Sequence, residues 1–418
     1  MPHAAVLAVW IIAAGVAAGL VLRPFRLPEA VWAAAGATLL AASGLAPPSA
    51  VAEGLLKSGD VCLFLVGMML LAELGRREGL FDWAAGWAAR WSGGDPRRLF
   101  VLVYGIGVLV TVFLSNDATA VVLTPAVFAA ARRAQAKPLP YLLACAFVAN
   151  AASFVLPIAN PANLVLYAGA PPPLSAWFAR FGLASIAAIA ASFAALRWSV
   201  RRSLEGRCAR TIDIRPLSAA AWGALAALAV TAAVLLAASA FGRPLGAPTA
   251  AMGVLATVAV SLMERKSPAP VLRGIAWSVL PLVAGLFVVV EALNRTGLTD
   301  RLARVLTHAA QASPTQAAWA AGASIAVGGN LTNNLPAGLL AASTLARAHA
   351  PSGVTDALLI GVDLGPNLSI TGSLATLLWL IAVRREGETV GFWRFLKYGA
   401  VVMPPALVLA LAARLWLG

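Results

Sequence analysis

The chain has 418 residues, of which 61% are hydrophobic and 11% charged, and its mean hydropathy is +0.84. A soluble domain is about 45–50% apolar and about 25% charged, so a water-soluble globule is excluded and a polytopic membrane protein fits. A net charge of +14 would suggest nucleic acid in a soluble protein. Here the arginines sit in short loops between apolar runs, where they set orientation and meet anionic lipid; no nucleic-acid partner is implied.

Apolar runs of about 20 residues recur along the chain, long enough to cross the hydrocarbon. In chain order the expected spans are 4–22, 30–45, 61–74, 140–170 and 174–200. In the second half they are 219–241, 247–263, 275–293, 355–383 and 396–417. Residues 4–22 read as a first span rather than a cleaved signal. Two further segments, 97–133 and 315–347, each hold two apolar helices joined by a polar tip. Both are bounded by polar or basic residues, so each is expected to enter and leave on one side as a re-entrant hairpin. Irregular backbone at that depth persists only where protein or a cavity covers it. Residues 79–92 and 297–311 mix Trp or Leu with Arg and Asp and read as helices lying in the interface. The expected fold is all-α, about ten spans plus two hairpins.

The two halves repeat. Glu73-x3-Arg77-x-Gly79-Leu80-x-Asp82 recurs as Glu291-x3-Arg295-x-Gly297-Leu298-x-Asp300, an offset of 291 − 73 = 218. The same offset carries Asn116 onto Asn334. Basic loops at Arg76–Arg77, Arg97–Arg98, Arg132–Arg133, 201–215, Arg265–Lys266 and Arg384–Arg385 fall on one side, the expected cytoplasm. The drawing makes 1–200 a first repeat, 201–217 a cytoplasmic linker, and 218–418 an inverted second repeat, an arrangement used by transporters with midplane sites.

Polar residues interrupt the hydrocarbon at four places. The hairpin tips are Leu114-Ser115-Asn116-Asp117-Ala118 and Gly328-Gly329-Asn330-Leu331-Thr332-Asn333-Asn334-Leu335-Pro336. The spans at 140–170 and 355–383 are broken by Pro, Gly and Asn around Pro157, Asn160, Asn163, Asp363, Gly365, Pro366 and Ser373. Pro and Gly disrupt the helical ladder at about 3 and 1 kcal/mol relative to Ala. A half-helix restarting near Asn160 or Ser373 points its N–H groups into the gap. Two tips and two broken helices give one pocket of hydroxyls, amides and backbone dipoles.

Three stretches now carry a resemblance: Leu114 through Thr124-Pro125, Thr332-Asn333-Asn334-Leu335-Pro336, and Gly361-Val362-Asp363-Leu364-Gly365-Pro366 with Thr371 through Trp379. The sequence resembles the ArsB arsenite/antimonite efflux proteins over nearly its whole length. The resemblance implies an ion-transporter fold with a static and a mobile part in elevator-like motion. It also implies export of arsenite or antimonite against protons, driven by the proton motive force, alone or with a cytosolic ATPase subunit. Asp and Lys, usual in that family, are replaced here by Asn150 and Asn367, which suggests an amide pair standing in for a charged one.

Arsenite near neutral pH is As(OH)₃, a small uncharged polyol that needs hydrogen-bond donors and acceptors. The candidates to bind it are Ser115, Asn116, Thr119, Asn160, Asn163, Asn333, Asn334, Ser373 and Thr376. Asp117 is the leading proton carrier and Asp363 the second, because a carboxyl at membrane depth is costly; each also reads as a capping residue. Cys62, Cys145 and Cys208 lie outside the motifs, so a thiol-free site is expected, and no resident cofactor is implied. The competing readings are a Na⁺/H⁺ antiporter and an organic-anion transporter of the same superfamily. A membrane hydrolase lacks its motifs: G-x-S-x-G, HExxH and GxGD are absent, as is the ATP-binding P-loop.

Overall fold

The structure, a computed structural model, describes residues 2–167, 171–209, 214, 216–348 and 350–417. The expected span end at 168–170, Arg210 and Arg215 of the linker, and His349 lie outside the described residues. All regular elements in the described residues are helical. The first half holds α1 (His3–Leu22), α2 (Glu29–Ala42), α3 (Pro48–Arg77), α4 (Leu80–Trp91) and α5 (Pro96–Phe113). It continues with α6 (Asn116–Ala118), a π turn over Thr119–Leu123, α7 (Thr124–Arg133), α8 (Leu139–Ala151), α9 (Pro161–Leu166) and α10 (Leu174–Val200). The second half holds α11 (Ala219–Ala240), α12 (Gly246–Glu264), α13 (Ala269–Gly274), α14 (Val279–Asn294) and α15 (Leu298–Ala312). It ends with α16 (Pro314–Thr332), α17 (Asn334–Ala348), α18 (Ser352–Leu364), α19 (Leu374–Arg385) and α20 (Phe392–Trp416).

The protein is an all-α polytopic membrane protein. Among the described residues, seven helices are long and apolar enough to cross a membrane: α1, α3, α5, α10, α11, α12 and α20. The α14–α15 pair makes an eighth if counted as one span, bent by 73°. The expectation of ten spans is therefore corrected. The expected span 30–45 is a helix of 14 residues, about 21 Å at 1.5 Å per residue and short of the ~30 Å hydrocarbon core. The expected span 61–74 is the second part of the 30-residue α3. Its earlier turns carry Glu53, Lys57 and Asp60, which break the apolar run but find partners. Lys57 Nζ reaches Glu53 at 2.6 Å and Glu291 at 3.1 Å, and Asp60 Oδ1 accepts from Gly246 N at 3.0 Å. α5 alone reaches spanning length, although it was expected as one arm of a hairpin.

Gly-Leu-x-Asp, the repeated motif, is a helix stop. Gly79 and Gly297 take φ of +73° and +79°, the left-handed conformation that only glycine adopts without cost. α4 and α15 then start from a new direction. Helices recur in the same order in both halves: α1 with α11, α2 with α12, α5 with α16, α8 with α18, α10 with α20. The contacts are reciprocal, with α2 on α14 and α3 on α12, and with α9 on α17 and α19 on the π turn and α7.

Two packed groups emerge. One is α2, α3, α12 and α14; the other gathers α10, α16, α18 and α20, with α8 joining through α10. Glycines set the closest crossings, as small residues do where helices pack in lipid. A Cβ on Gly253 would lie 2.8 Å from Gly67 Cα, and one on Gly365 would lie 2.7 Å from Ala326 Cα. The Gly361-x3-Gly365 pattern is thus a seam between α18 and α16.

Candidate functional site

Four helices start around one point: α6 at Asn116, α9 at Pro161, α17 at Asn334 and α19 at Leu374. Each is preceded by a capping residue, the side-chain type that satisfies the free N–H groups of a first turn. Ser115 Oγ accepts from Ala118 N at 3.1 Å and Asn160 Oδ1 from Ala162 N at 3.0 Å. Asn333 Oδ1 accepts from Leu335 N at 3.4 Å and Ser373 Oγ from Thr376 N at 3.1 Å. The starts enclose a cavity of about 10 Å³ lined by Leu65, Asn116, Asp117, Asn160, Pro161, Asn334, Leu335, Ser373, Leu374 and Ala375. That is room for about one water.

The first tip is shaped by Pro125, which has no N–H for the Val121 carbonyl. The backbone widens into the π turn, and Thr124 Oγ1 donates to Thr119 O at 3.2 Å. Such turns occur within helices at functional sites. Thr119 and Thr111 share a hydroxyl hydrogen bond of 2.8 Å that ties the tip to α5.

Asn330 anchors the second tip. Its Nδ2 donates to Ala326 O at 2.7 Å and Gly365 O at 3.0 Å, and its Oδ1 accepts from Ser369 N at 3.1 Å and Ser369 Oγ at 2.7 Å. Asn334 N donates to Gly372 O at 2.9 Å. Asn333 holds φ 80° and ψ 152°, a sparsely populated conformation that persists because its surroundings dictate it.

Amides also repair the broken helices. Asn163 Nδ2 donates to Ser153 O at 2.9 Å, with Leu156 O and Pro157 O each at 3.4 Å. Asn150 Nδ2 donates to Asn367 Oδ1 at 3.0 Å and Thr376 Oγ1 at 3.3 Å, and Ser373 Oγ donates to Asn150 Oδ1 at 3.4 Å. Asn367 Nδ2 donates to Phe147 O at 3.1 Å. The amide pair expected from Asn150 and Asn367 is therefore formed, and it joins the two broken helices. Asn160 Nδ2 donates to Asp363 Oδ1 at 2.6 Å, while Asp363 Oδ2 is buried without a partner among the described residues.

A vestibule of about 830 Å³ leads to this point. Its floor is Ser115, Asp117 and Pro161, its walls include Phe64, Met68 and Val121, and its mouth carries Glu73, Arg76, Asp82, Arg385 and Glu386. Asp117 lines both the vestibule and the small cavity, as does Pro161. None of the three cysteines lines either. Of the candidates, Asn116, Asp117, Asn160, Asn334 and Ser373 meet at the small cavity and Ser115 faces the vestibule. Asn333 caps α17 beside them. Thr119, Asn163, Thr376 and Asp363 stand behind, bonded to neighbours, and line neither space. Sequence reasoning did not name the apolar walls Leu65, Pro161, Leu335, Leu374 and Ala375 as site residues, although Leu335, Leu374 and Ala375 lie inside the stretches that carry the resemblance. It noted Asn330 only as part of the polar tip and missed its role as anchor. Glu73 pairs with Arg76 and Arg77 on its own helix, whereas its repeat counterpart Glu291 pairs with Lys57 across the fold.

With the geometry in place, likeness to known proteins decides the class. The CitMHS family, described as citrate transporter, matches residues 6–383. The chain belongs to the CitMHS family. Among its relatives, the arsenical pump membrane protein of Yersinia enterocolitica is 29% identical over 422 aligned residues, covering 92% of this chain and 95% of the relative. The arsenical pump membrane protein of Escherichia coli K12 is 28% identical, covering 83% and 84%. The crystal structure of the Alcanivorax borkumensis YdaH transporter superposes with a TM-score of 0.58 at 18% identity, covering 87% of each chain, and shares the fold. This CitMHS member is a multi-pass, secondary-active membrane transporter related to the ArsB proteins, and not an enzyme.

Proposed function

We propose that the protein exports a small neutral trivalent hydroxide, arsenite or antimonite, from the cytoplasm in exchange for protons. One observation carries this reading: Asp117 stands where a thiol-free vestibule meets a cavity walled by amides, hydroxyls and helix starts. A polyol such as As(OH)₃ is matched by such groups. A site without thiolate also releases its cargo readily. Asp117 would hold either a proton or, as carboxylate, a hydrogen bond from the substrate's hydroxyls. Exclusion of one by the other is the coupling. Asp363, held by Asn160, would follow the occupancy of the cavity through that amide.

The halves 1–200 and 218–418 would be inverted repeats joined by the linker, with hairpins 97–133 and 315–347 re-entrant. The reciprocal contacts favour this, since a two-fold relation makes contacts in matched pairs. The α10–α16–α18–α20 group and the hairpins would then move against α2, α3, α12 and α14 as an elevator. The mouth carries Arg76 and Arg385, so the vestibule would open to the cytoplasm by the positive-inside rule.

A second reading takes a citrate-like organic anion, the cargo the family description names. The helix starts of α17 and α19 favour electron-rich oxygen. Against it, no basic side chain among the described residues lines the small cavity, and Asp117 would repel a carboxylate. Arsenite accumulation in everted vesicles under an imposed pH gradient separates the two. Arsenite uptake that citrate leaves untouched, and that Asp117→Asn lowers at least about tenfold, supports export; pH-driven uptake unchanged in Asp117→Asn removes Asp117 from coupling. Citrate uptake without arsenite uptake replaces the first reading by the second.

A further inference from the structure

The α15 helix lies away from the transport site. It leaves α14 at the end opposite the vestibule mouth, since the mouth gathers the C-terminal ends of α3 and α19 with the N-terminal end of α14. Along α15 and the end of α17 runs an open surface pocket of about 370 Å³ lined by Asp300, Ala303, Arg304, Thr307, His308, Gln311 and Arg347. Two arginines face one aspartate, which together bring a net +1 to the pocket. Arg347 Nε is held by Asp300 at 2.9 Å and its Nη1 donates to Ser343 O at 3.0 Å, which fixes the guanidinium. Arg304 pairs with no carboxylate among the described residues and is exposed. Thr307 Oγ1 donates to Ala348 O at 2.9 Å, so the pocket sits on a joint between α15 and α17. The same helix exposes Leu302 and Val305, at 37% and 69%.

We infer that this pocket binds the phosphodiester headgroup of an anionic phospholipid. The charge matches: a diester brings −1 to a +1 pocket. Guanidinium groups with neighbouring His and Gln donors suit phosphate oxygens, which take several hydrogen bonds at once. Basic residues and exposed apolar residues on one amphipathic helix are what an interfacial helix presents to lipid. A bound lipid would bridge α15, which continues from α14, and the tip-bearing α17, holding the joint from outside.

The test measures lipid binding to the purified full chain in detergent, by native mass spectrometry and by thermal stability. Phosphatidylglycerol is expected to bind at least about fivefold tighter than phosphatidylcholine, the factor that about one arginine near lipid supplies. Arg304→Gln and, independently, Gln311→Glu are each expected to erase most of that preference, while the exposed Arg133→Gln at the other end leaves it intact. Equal binding of the two lipids, or a preference unchanged in both pocket variants, overturns the inference. So does inorganic phosphate reproducing the full stabilisation, which would make the pocket a free-anion site. The readout does not depend on what the protein transports.

Discussion

The buried amide pair makes a quantitative prediction. Replacing Asn150 by Leu, a near-isosteric apolar side chain, removes its bonds to Asn367, Thr376 and Ser373. Hydrogen bonds between membrane helices average about 0.6 kcal/mol each, so the three account for about 2 kcal/mol. Asn367 Oδ1 is left in a site with 0% exposure, and an unsatisfied buried acceptor costs a further ~1–3 kcal/mol. The single variant is expected to lose about 3–5 kcal/mol. Replacing both partners by apolar groups removes the orphan along with the bond. The double variant Asn150→Leu/Asn367→Leu should therefore fall short of the sum of the singles by about 1–2 kcal/mol. Unfolding in mixed micelles with increasing sodium dodecyl sulfate, followed by tryptophan fluorescence, gives all four free energies of the cycle. Additivity within about 0.5 kcal/mol, the value for independent sites, would refute the claim that these two amides join the broken helices.

Other expectations follow from the same geometry. Because no cysteine lines either space, a variant with Cys62, Cys145 and Cys208 all replaced by Ala should retain arsenite efflux within about twofold in vesicles; collapse of transport with the protein still folded would point to a thiolate site. Gly365→Ala forces a Cβ into the Ala326 backbone and should cost about 1–3 kcal/mol as overpacking, while Gly353→Ala, whose Cβ would meet only Leu415 at 3.4 Å, should leave the melting temperature within about a degree. Asp356 is fully buried and meets Arg414 Nη2 at 2.6 Å, Tyr167 Oη at 3.1 Å and Arg180 Nη1 at 3.6 Å. Arg414→Met should therefore cost about 3 kcal/mol or more as a broken buried pair, and adding Asp356→Leu should restore much of it; a melting temperature unmoved by Arg414→Met would contradict this.

The sequence alone determined that the chain lives in a membrane, where most of its helices lie, and where the polar interruptions fall. Those are one-dimensional properties: a run of apolar residues, a Pro or Gly that the ladder cannot absorb, a motif repeating at 218 residues. The span 174–200 agrees residue for residue with α10, and both tips fall where Ser115 and Asn333 cap new helices. Where charges found partners far along the chain, the pattern misled. Glu53, Lys57 and Asp60 hid the first turns of α3, because nothing local announces that Glu291 and Gly246 will meet them. Only the tertiary structure decided which polar residues face a common space and which stand behind it. Asn160 and Asn163 look alike in sequence, yet one lines the cavity and the other mends the backbone ten residues away. The reason is physical. A polar group at membrane depth must be satisfied, but whether by ligand, water or its own chain depends on which backbone carbonyls the fold brings within 3 Å.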